Sequence, residues 1–374
     1  MTTEITETEE KLRAVNTYAE FQKREAIPVL RGFATDDLNA VDLGDWQRVG
    51  GRGTYIDLEG TGGTNGAYVC EIAPGKSLEP ERHLYEETIY VLSGTGSTSV
   101  WYEGREPVSF EWGPGSLFAI PLNAWHRHHN TAGARAARFL AVTSAPLVMN
   151  LFHDADFVFS SAAVFPDRFS GQSDYFEAKG TLYNGRVLET NFIPDARSFE
   201  LYRNAARGTG KGCRFELSYN TTHAHVAEFP VGTYKKAHFH GPGAHVILLQ
   251  GQGFSLLWPQ RGEQQRFDWK AGSMFVPPHG WFHQHFNTGA EPARYLALRW
   301  GSAKYDLGGA LGWTTGHSYD VPGAQIEYAD EDPVIHRMYE AELKTSGATC
   351  RMKTVIPACS GVHGEGAIDP RAAA

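Results

Sequence analysis

The sequence predicts an all-β protein built from two tandem β-barrels, with short helical extensions at the N and C termini. Three observations predict this. Short apolar runs alternate with Gly, Pro, Asn and Asp turns from about residue 29 onward, as in GTYIDL, AYVCEIAPG, TIYVLSGTG, STSVWYEG, SLFAIP and RFLAVTS. That spacing belongs to an antiparallel sandwich or barrel. The set then recurs at a constant offset of 157 residues, ungapped from Gly75 to Asn130. Gly75 matches Gly232, Gly94 matches Gly251, Trp101 matches Trp258, and Phe110 and Trp112 match Phe267 and Trp269. Gly115, Phe118, Pro121, His126 and Asn130 match Gly272, Phe275, Pro278, His283 and Asn287. A register of that length means one β-unit present twice. Third, ten of the 16 histidines fall within residues 81–130 and 238–287.

Residues 1–28 form an N-terminal arm, and its stretch 7–26 has helix-forming composition with acids at the start, which suits a helix N-terminus. Residues 29–150 hold the first barrel. TIYVL, and its counterpart HVILL in the second unit, do not alternate and read as strands buried on both faces. Their apolar outer faces suit a junction between barrels. Residues 151–185, rich in Phe, Ser, Asp and Gly, read as a packed connector. Residues 186–305 hold the second barrel. The extension 306–374 opens with a Gly-rich stretch and continues as one helix, with Pro333 at its first position and Gly347 beyond its end. From about residue 358 the chain is small and polar and reads as frayed.

Composition excludes several classes. The 374-residue chain carries a net charge of -9, which argues against nucleic acid or an anionic membrane as partner. Four cysteines, Cys70, Cys213, Cys350 and Cys359, are scattered without a CxxC pair and read as free thiols of a reducing compartment. The N-terminus lacks the apolar core of a signal peptide, and no apolar run reaches the length of a membrane span. The expectation is a cytoplasmic protein. A homodimer through the terminal arms is compatible with the sequence.

The candidate chemistry lies in the histidines. In the second unit, Gly232 is followed after five residues by His238-Phe239-His240, and His283 comes from a later strand. Alternate residues of a strand share a face, so His238 and His240 present both imidazoles to one side. Three converging neutral imidazoles make an open site for a divalent transition metal. In the first unit the same register reads Glu81, His83, Glu87 and His126. That mixed set either binds a divalent ion or is a relic held by hydrogen bonds. His285 lies one step beyond His283 on the same face and is a candidate for acid–base or substrate contact. His245 is a candidate fourth ligand or catalytic group if its strand bulges, although regular alternation points it away. His223 and His225 read as ordinary strand histidines. Phe239, Trp258, Phe275 and Trp281 crowd the second motif, and some of them are expected to form an apolar wall for a flat substrate. Lys235 and Lys236 read as surface residues, one of which could meet an anionic group.

The spacing Gly-x5-His-x-His, followed by Pro-x4-His-x3-Asn, resembles the paired motifs of the cupin superfamily, and the repeat makes the chain resemble a bicupin. The resemblance covers both β-units. It implies two double-stranded β-helix (jelly-roll) barrels. The cupin glutamate ligand corresponds to Glu87 in unit one and to Ala244 in unit two, so unit two keeps three histidines. Such a set is similar to that of cupin dioxygenases holding Fe(II). The implied function is a non-heme Fe(II) dioxygenase using O2 on a small aromatic, phenolic or enolisable carbonyl substrate. Mn, Zn or Ni are the other metals the sites admit. A redox-neutral metal enzyme (decarboxylase, isomerase or hydrolase) and a non-catalytic small-molecule binder are the alternatives, because the fold hosts all of them.

Overall fold

The structure, a computed structural model, describes residues 8, 11–203, 208, 210–241, 243–305 and 323–361. It contains two β-barrels, each a large sheet facing a three-stranded one. In barrel 1 the large sheet runs in the spatial order Val29–Gly32, Gly51–Leu58, Gly66–Ile72, Ala137–Thr143, Glu87–Ser93 and Leu117–Ile120. Its partner sheet orders Trp125–Asn130, Gly96–Trp101 and Val108–Trp112. Barrel 2 repeats this with Lys211–Leu217, Thr222–Phe229, Ala293–Trp300, His245–Gln250 and Met274–Phe275 against Gln265–Lys270, Gln252–Trp258 and Phe282–Asn287.

The repeated residues explain themselves in the fold. Gly94 and Gly251 both have positive φ, 80° and 85°. A Cβ there would also meet the Cα of Ala137 or Ala293 at 2.5 and 2.9 Å, so only glycine makes this turn. Asn130 donates to the carbonyls of Ile72 and Arg135 and accepts from the Ala132 amide. Asn287 repeats the pattern with Phe229, Glu291 and Gly289. The repeated Asn is thus a turn clamp, not a ligand. Arg138 pairs with Glu71 at 2.7 Å and Arg294 with Glu228 at 2.8 Å, one salt bridge per barrel at matching positions.

The barrels meet across one apolar core. Ile56, Val69, Tyr90, Leu117 and Leu140 of barrel 1 cluster with Phe215, Val226, Ile247, Met274 and Leu296 of barrel 2. Strands Glu87–Ser93 and His245–Gln250 therefore bury both faces at their starts. Each unit also lends a short strand to the other. Ala34–Thr35 pairs with Met274–Phe275, and Phe192–Ile193 pairs with Leu117–Phe118. The flanking backbone bonds repeat as well, Leu38 to Gly272 and Ala196 to Gly115. Sheet membership thus does not follow chain order.

Four α-helices occur among the described residues. The N-terminal one spans Thr17–Glu25, shorter than the expected 7–26, because the Asn16 side chain caps the Ala19 amide. Residues 11–16 are not helical, and residues 1–7 and 9–10 of that expectation lie outside the described residues. Helices Ala145–Phe152 and Ala155–Ser160 carry the chain out of barrel 1, and the sequence reading did not foresee them. Hairpin Gly180–Tyr183/Val187–Thr190 then extends the barrel 2 sheet. The C-terminal helix spans Pro333–Ser346 and ends at Gly347, φ 72°, as its Pro and Gly predict. The Gly-rich stretch 306–322 and residues 362–374 lie outside the described residues; the fraying expected from about 358 does not begin there, because Cys359 is buried and Ser360 bonds Glu340. No helix among the described residues is long and apolar enough to cross a membrane.

Candidate metal centres

In barrel 2 the segment ahead of strand His245–Gln250 runs antiparallel to Phe282–Asn287, and His238 and His283 exchange backbone hydrogen bonds at 3.1 and 2.9 Å. His240 follows on the same face. The ligand atoms of His238, His240 and His283 all lie within 4.8 Å of one another. Each ring places Nδ1 near a backbone carbonyl, of Lys236 at 3.1 Å, Gly241 at 2.8 Å and Trp281 at 3.3 Å. A carbonyl only accepts, so Nδ1 carries the proton and Nε2 keeps its lone pair. Metal-binding imidazoles are oriented in this way.

Barrel 1 brings together His83, Glu87 and His126, again within 4.8 Å. Their Nδ1 atoms face the carbonyls of Tyr85 and Ala124. His83 Nε2, Glu87 Oε2 and His126 Nε2 are all buried without a hydrogen-bond partner, though Glu87 Oε2 lies 3.5 and 3.7 Å from the two nitrogens. Leaving such groups unmatched costs about 1–3 kcal/mol each, and a divalent cation at their centre would satisfy all three. Two histidines and one carboxylate form a facial set known for non-heme iron. The residues fit a metal.

Glu81 stands apart from this set. Its Oε2 accepts from Arg48 Nη1 at 2.5 Å, and its Oε1 stays 3.9 Å from His126 Nε2. Arg48 also pairs with Glu25 of the N-terminal helix at 2.7 Å and lies over the Phe159 ring. Glu81 is thus a carboxylate already matched to a cation. Metal analysis of Glu81→Gln is expected to find barrel 1 as loaded as in the wild type. Glu87→Gln is expected to lower its occupancy at least about tenfold, as loss of a ligand does.

The two interiors differ. Beside the barrel 1 set remains a space of about 10 Å³ bordered by Tyr55, Tyr68 and Tyr85, close to one water. The Tyr85 ring stacks on His83 at 3.7 Å. Barrel 2 instead holds a cavity of about 100 Å³ whose wall includes His238, His240, His283 and His285. Arg186, Arg214, Arg299 and Lys235 also line it, and no carboxylate among the described residues does. Lys235 is buried and donates to the Tyr295 hydroxyl at 3.0 Å. The sequence reading had put this lysine on the surface and did not single out the arginines. His225, read as an ordinary strand histidine, also lines the cavity.

His285 lines the cavity as expected. Trp269 Nε1 donates to Ser255 Oγ at 3.0 Å, and Ser255 Oγ lies 2.8 Å from His285 Nδ1. Indole only donates, so Ser255 Oγ accepts from Trp269, and its hydroxyl also bonds His285 Nδ1 and fixes the ring in place. Barrel 1 repeats the chain as Trp112, Thr98 and His128. That explains why the tryptophans recur in register.

His245 corrects the expectation of a catalytic role. Its neighbour Val246 lines the cavity, so alternation turns His245 to the other face. It is fully buried, with Nδ1 near the Gly243 carbonyl. Burial pushes its pKa down to about 4. Between that value and its ordinary one the unfolded chain binds more protons, so stability is complete above about pH 6.5 and falls as pH drops toward 4. Denaturant unfolding of His245→Gln is expected to lose about 2 kcal/mol less between pH 7 and 5 than the wild type.

The expected aromatic wall is also absent from the cavity lining. Phe239 packs edge-on against Phe282, Trp258 stacks on Phe282, Phe275 sits in the core beside Phe267, and Trp281 approaches Phe33. Phe239 lies between two inward histidines, and alternation alone sends it outward.

Fold and site together describe two tandem β-barrels, each with a candidate metal cluster in the same register. Residues 68–143, in barrel 1, match the cupin domain family. The chain is 32% identical over 80 residues to a 5-aminosalicylate 1,2-dioxygenase of Comamonas sp., covering 21% of this chain and 20% of that one. It is 35% identical over 79 residues to a glucose-6-phosphate isomerase of Pyrococcus horikoshii, covering 20% and 41%. It thus spans under half the length of these curated relatives. Among solved structures it is similar to Bacillus subtilis oxalate decarboxylase, with 14% identity and a TM-score of 0.47 over 72% of this chain and 77% of that one.

Proposed function

We propose that the chain is an Fe(II)-dependent dioxygenase whose reaction takes place in barrel 2, on a small aromatic, phenolic or enolisable substrate that carries a carboxylate. The observation that supports this most is the cavity itself, three imidazoles set in a wall whose other charged groups are Arg186, Arg214, Arg299 and Lys235. Such a wall selects an anion, and guanidinium groups hold carboxylates in a fixed plane. His238, His240 and His283 would hold the metal. When bound, it supplies a Lewis-acid and redox centre open to oxygen and to a substrate oxygen. The arginines hold the substrate carboxylate, and Lys235 adds positive charge beside it. The His285 imidazole, held by Ser255, can exchange a proton with a substrate oxygen in the cavity. The match to the aminosalicylate dioxygenase supports an aromatic acid. Barrel 1, closed and lined by tyrosines, holds its metal as a structural centre.

A redox-neutral reaction, decarboxylation above all, is the second reading. The small cavity favours it, since about 100 Å³ suits an acid of few atoms better than a substituted ring. An oxygen electrode and a carbon dioxide assay on Fe(II)- and Mn(II)-loaded protein separate the two. The dioxygenase reading expects oxygen uptake with a phenolic or enolisable acid and slower but measurable uptake with the neutral amide. Carbon dioxide release without oxygen uptake would replace it with the second reading.

A further inference from the structure

We propose a third metal centre, a structural zinc site formed by His336, Glu340, Cys350 and Cys359 outside both barrels. His336 and Glu340 lie one turn apart on helix Pro333–Ser346, and the two cysteines come from the segment that folds back behind it. One ligand atom from each of the four lies within 4.8 Å of all the others. A tetrahedral zinc bound at about 2.0–2.3 Å places its ligand atoms about 3.3–3.8 Å apart, so the cluster is near the required size. The two Sγ atoms are 3.3 Å apart and both cysteines are free thiols.

The histidine is already oriented for an ion. Tyr234 Oη donates to Glu331 Oε1 at 2.5 Å, so His336 Nδ1–H is the group that donates to Tyr234 Oη, at 3.2 Å. Nε2 then carries the lone pair. His336 is 5% exposed, and its Nε2 has no hydrogen-bond partner. It lies 3.3 Å from Glu340 Oε1 but without the alignment of a hydrogen bond. Glu340 is itself held by the Ser360 amide and hydroxyl, both at 2.7 Å. A partnerless buried imidazole nitrogen beside a carboxylate and two buried thiols has no role in apolar packing. As a ligand set it is complete: two sulfurs, one nitrogen and one oxygen. Binding deprotonates both thiols and releases two protons to solvent.

The position gives the site a purpose. The Tyr339 hydroxyl donates to the carbonyls of Thr233 and Asn287, and the Arg351 amide donates to that of Gly232. Tyr234 precedes Lys235 in the segment leading to His238, which meets Phe282–Asn287 through isolated bridges. Zinc would fasten the C-terminal segment across the start of that segment and brace the barrel 2 centre from behind.

The test uses the full chain, expressed with zinc or with cobalt(II). Zinc analysis of the double variant His126→Ala/His283→Ala is expected to retain about one equivalent per chain, and adding Cys359→Ser to that double variant to lower this equivalent at least about tenfold. Cobalt-loaded protein is expected to show thiolate-to-cobalt charge-transfer bands and intense tetrahedral d–d bands, in the wild type and the double variant alike. This readout decides the matter even if Cys359→Ser does not fold. Absence of those bands, or a non-reduced mass two hydrogens low with no zinc bound, would overturn the site in favour of a plain thiol pair or a disulfide. Loss of oxygen uptake with the cobalt bands intact would count against the proposed reaction and not against this site.

Discussion

His283→Ala is expected to empty the barrel 2 centre and lower turnover at least about 100-fold. Even outer partners of metal ligands cost about 10–100-fold when removed, and His283 is one of three candidate ligands at this centre among the described residues. The loss cannot be shared out, because Ala244 stands where a fourth, carboxylate ligand would be and is itself fully buried. Metal analysis on the variant is expected to find barrel 1 still loaded, since His83, Glu87 and His126 share no residue with it. Folding is expected to persist. His283 meets His238 through backbone bonds, and those survive truncation of the side chain.

Arg299→Gln and Arg214→Gln are each expected to lower kcat/KM for an anionic substrate about 10–100-fold. That range corresponds to about 1.5–3 kcal/mol, the worth of a hydrogen bond to a charged group. Both side chains line the cavity, and both add to the positive field that, after burial, keeps His223 neutral. The decisive control is the substrate's neutral amide, for which the wild type and the two variants are expected to converge. Equal losses with acid and amide would mean that the arginines hold the barrel together instead of holding the substrate. Arg299 lies on Ala293–Trp300 and Arg214 on Lys211–Leu217, on either side of Thr222–Phe229, so the two variants probe different parts of the wall.

Much of this arrangement was legible in the sequence, for identifiable reasons. The 157-residue register carried both barrels and, apart from Glu81, both candidate ligand clusters, because a duplicated β-unit keeps its turns. Gly94 and Gly251 are such fixed points, and so are Asn130 and Asn287. Alternation grouped His238 with His240, whose ligand atoms do converge, although that segment forms only an isolated bridge and no strand, and it turned His245 away. The same rule, applied to Phe239, would have removed it from the expected substrate wall. What could not be read locally was long-range pairing. Arg48 reaches Glu81 across 33 residues, and nothing near Glu81 announces that partner. The cationic wall is assembled from a hairpin turn, two strands of one sheet and the segment before the metal motif. No window of sequence contains it. The exchanged strands Ala34–Thr35 and Phe192–Ile193 are two residues each, too short for any periodicity. The C-terminal cluster escaped because its cysteines lack a recognised zinc spacing, and only the fold brings them to His336.

Anomalous diffraction at the iron edge, from crystals grown with Fe(II) and a small aromatic acid under argon, tests the central claim most directly. The account predicts a peak bounded by the Nε2 atoms of His238, His240 and His283, with the acid's carboxylate against the arginines of the cavity wall. A peak in barrel 1 alone, with the acid bound elsewhere or not at all, would contradict it.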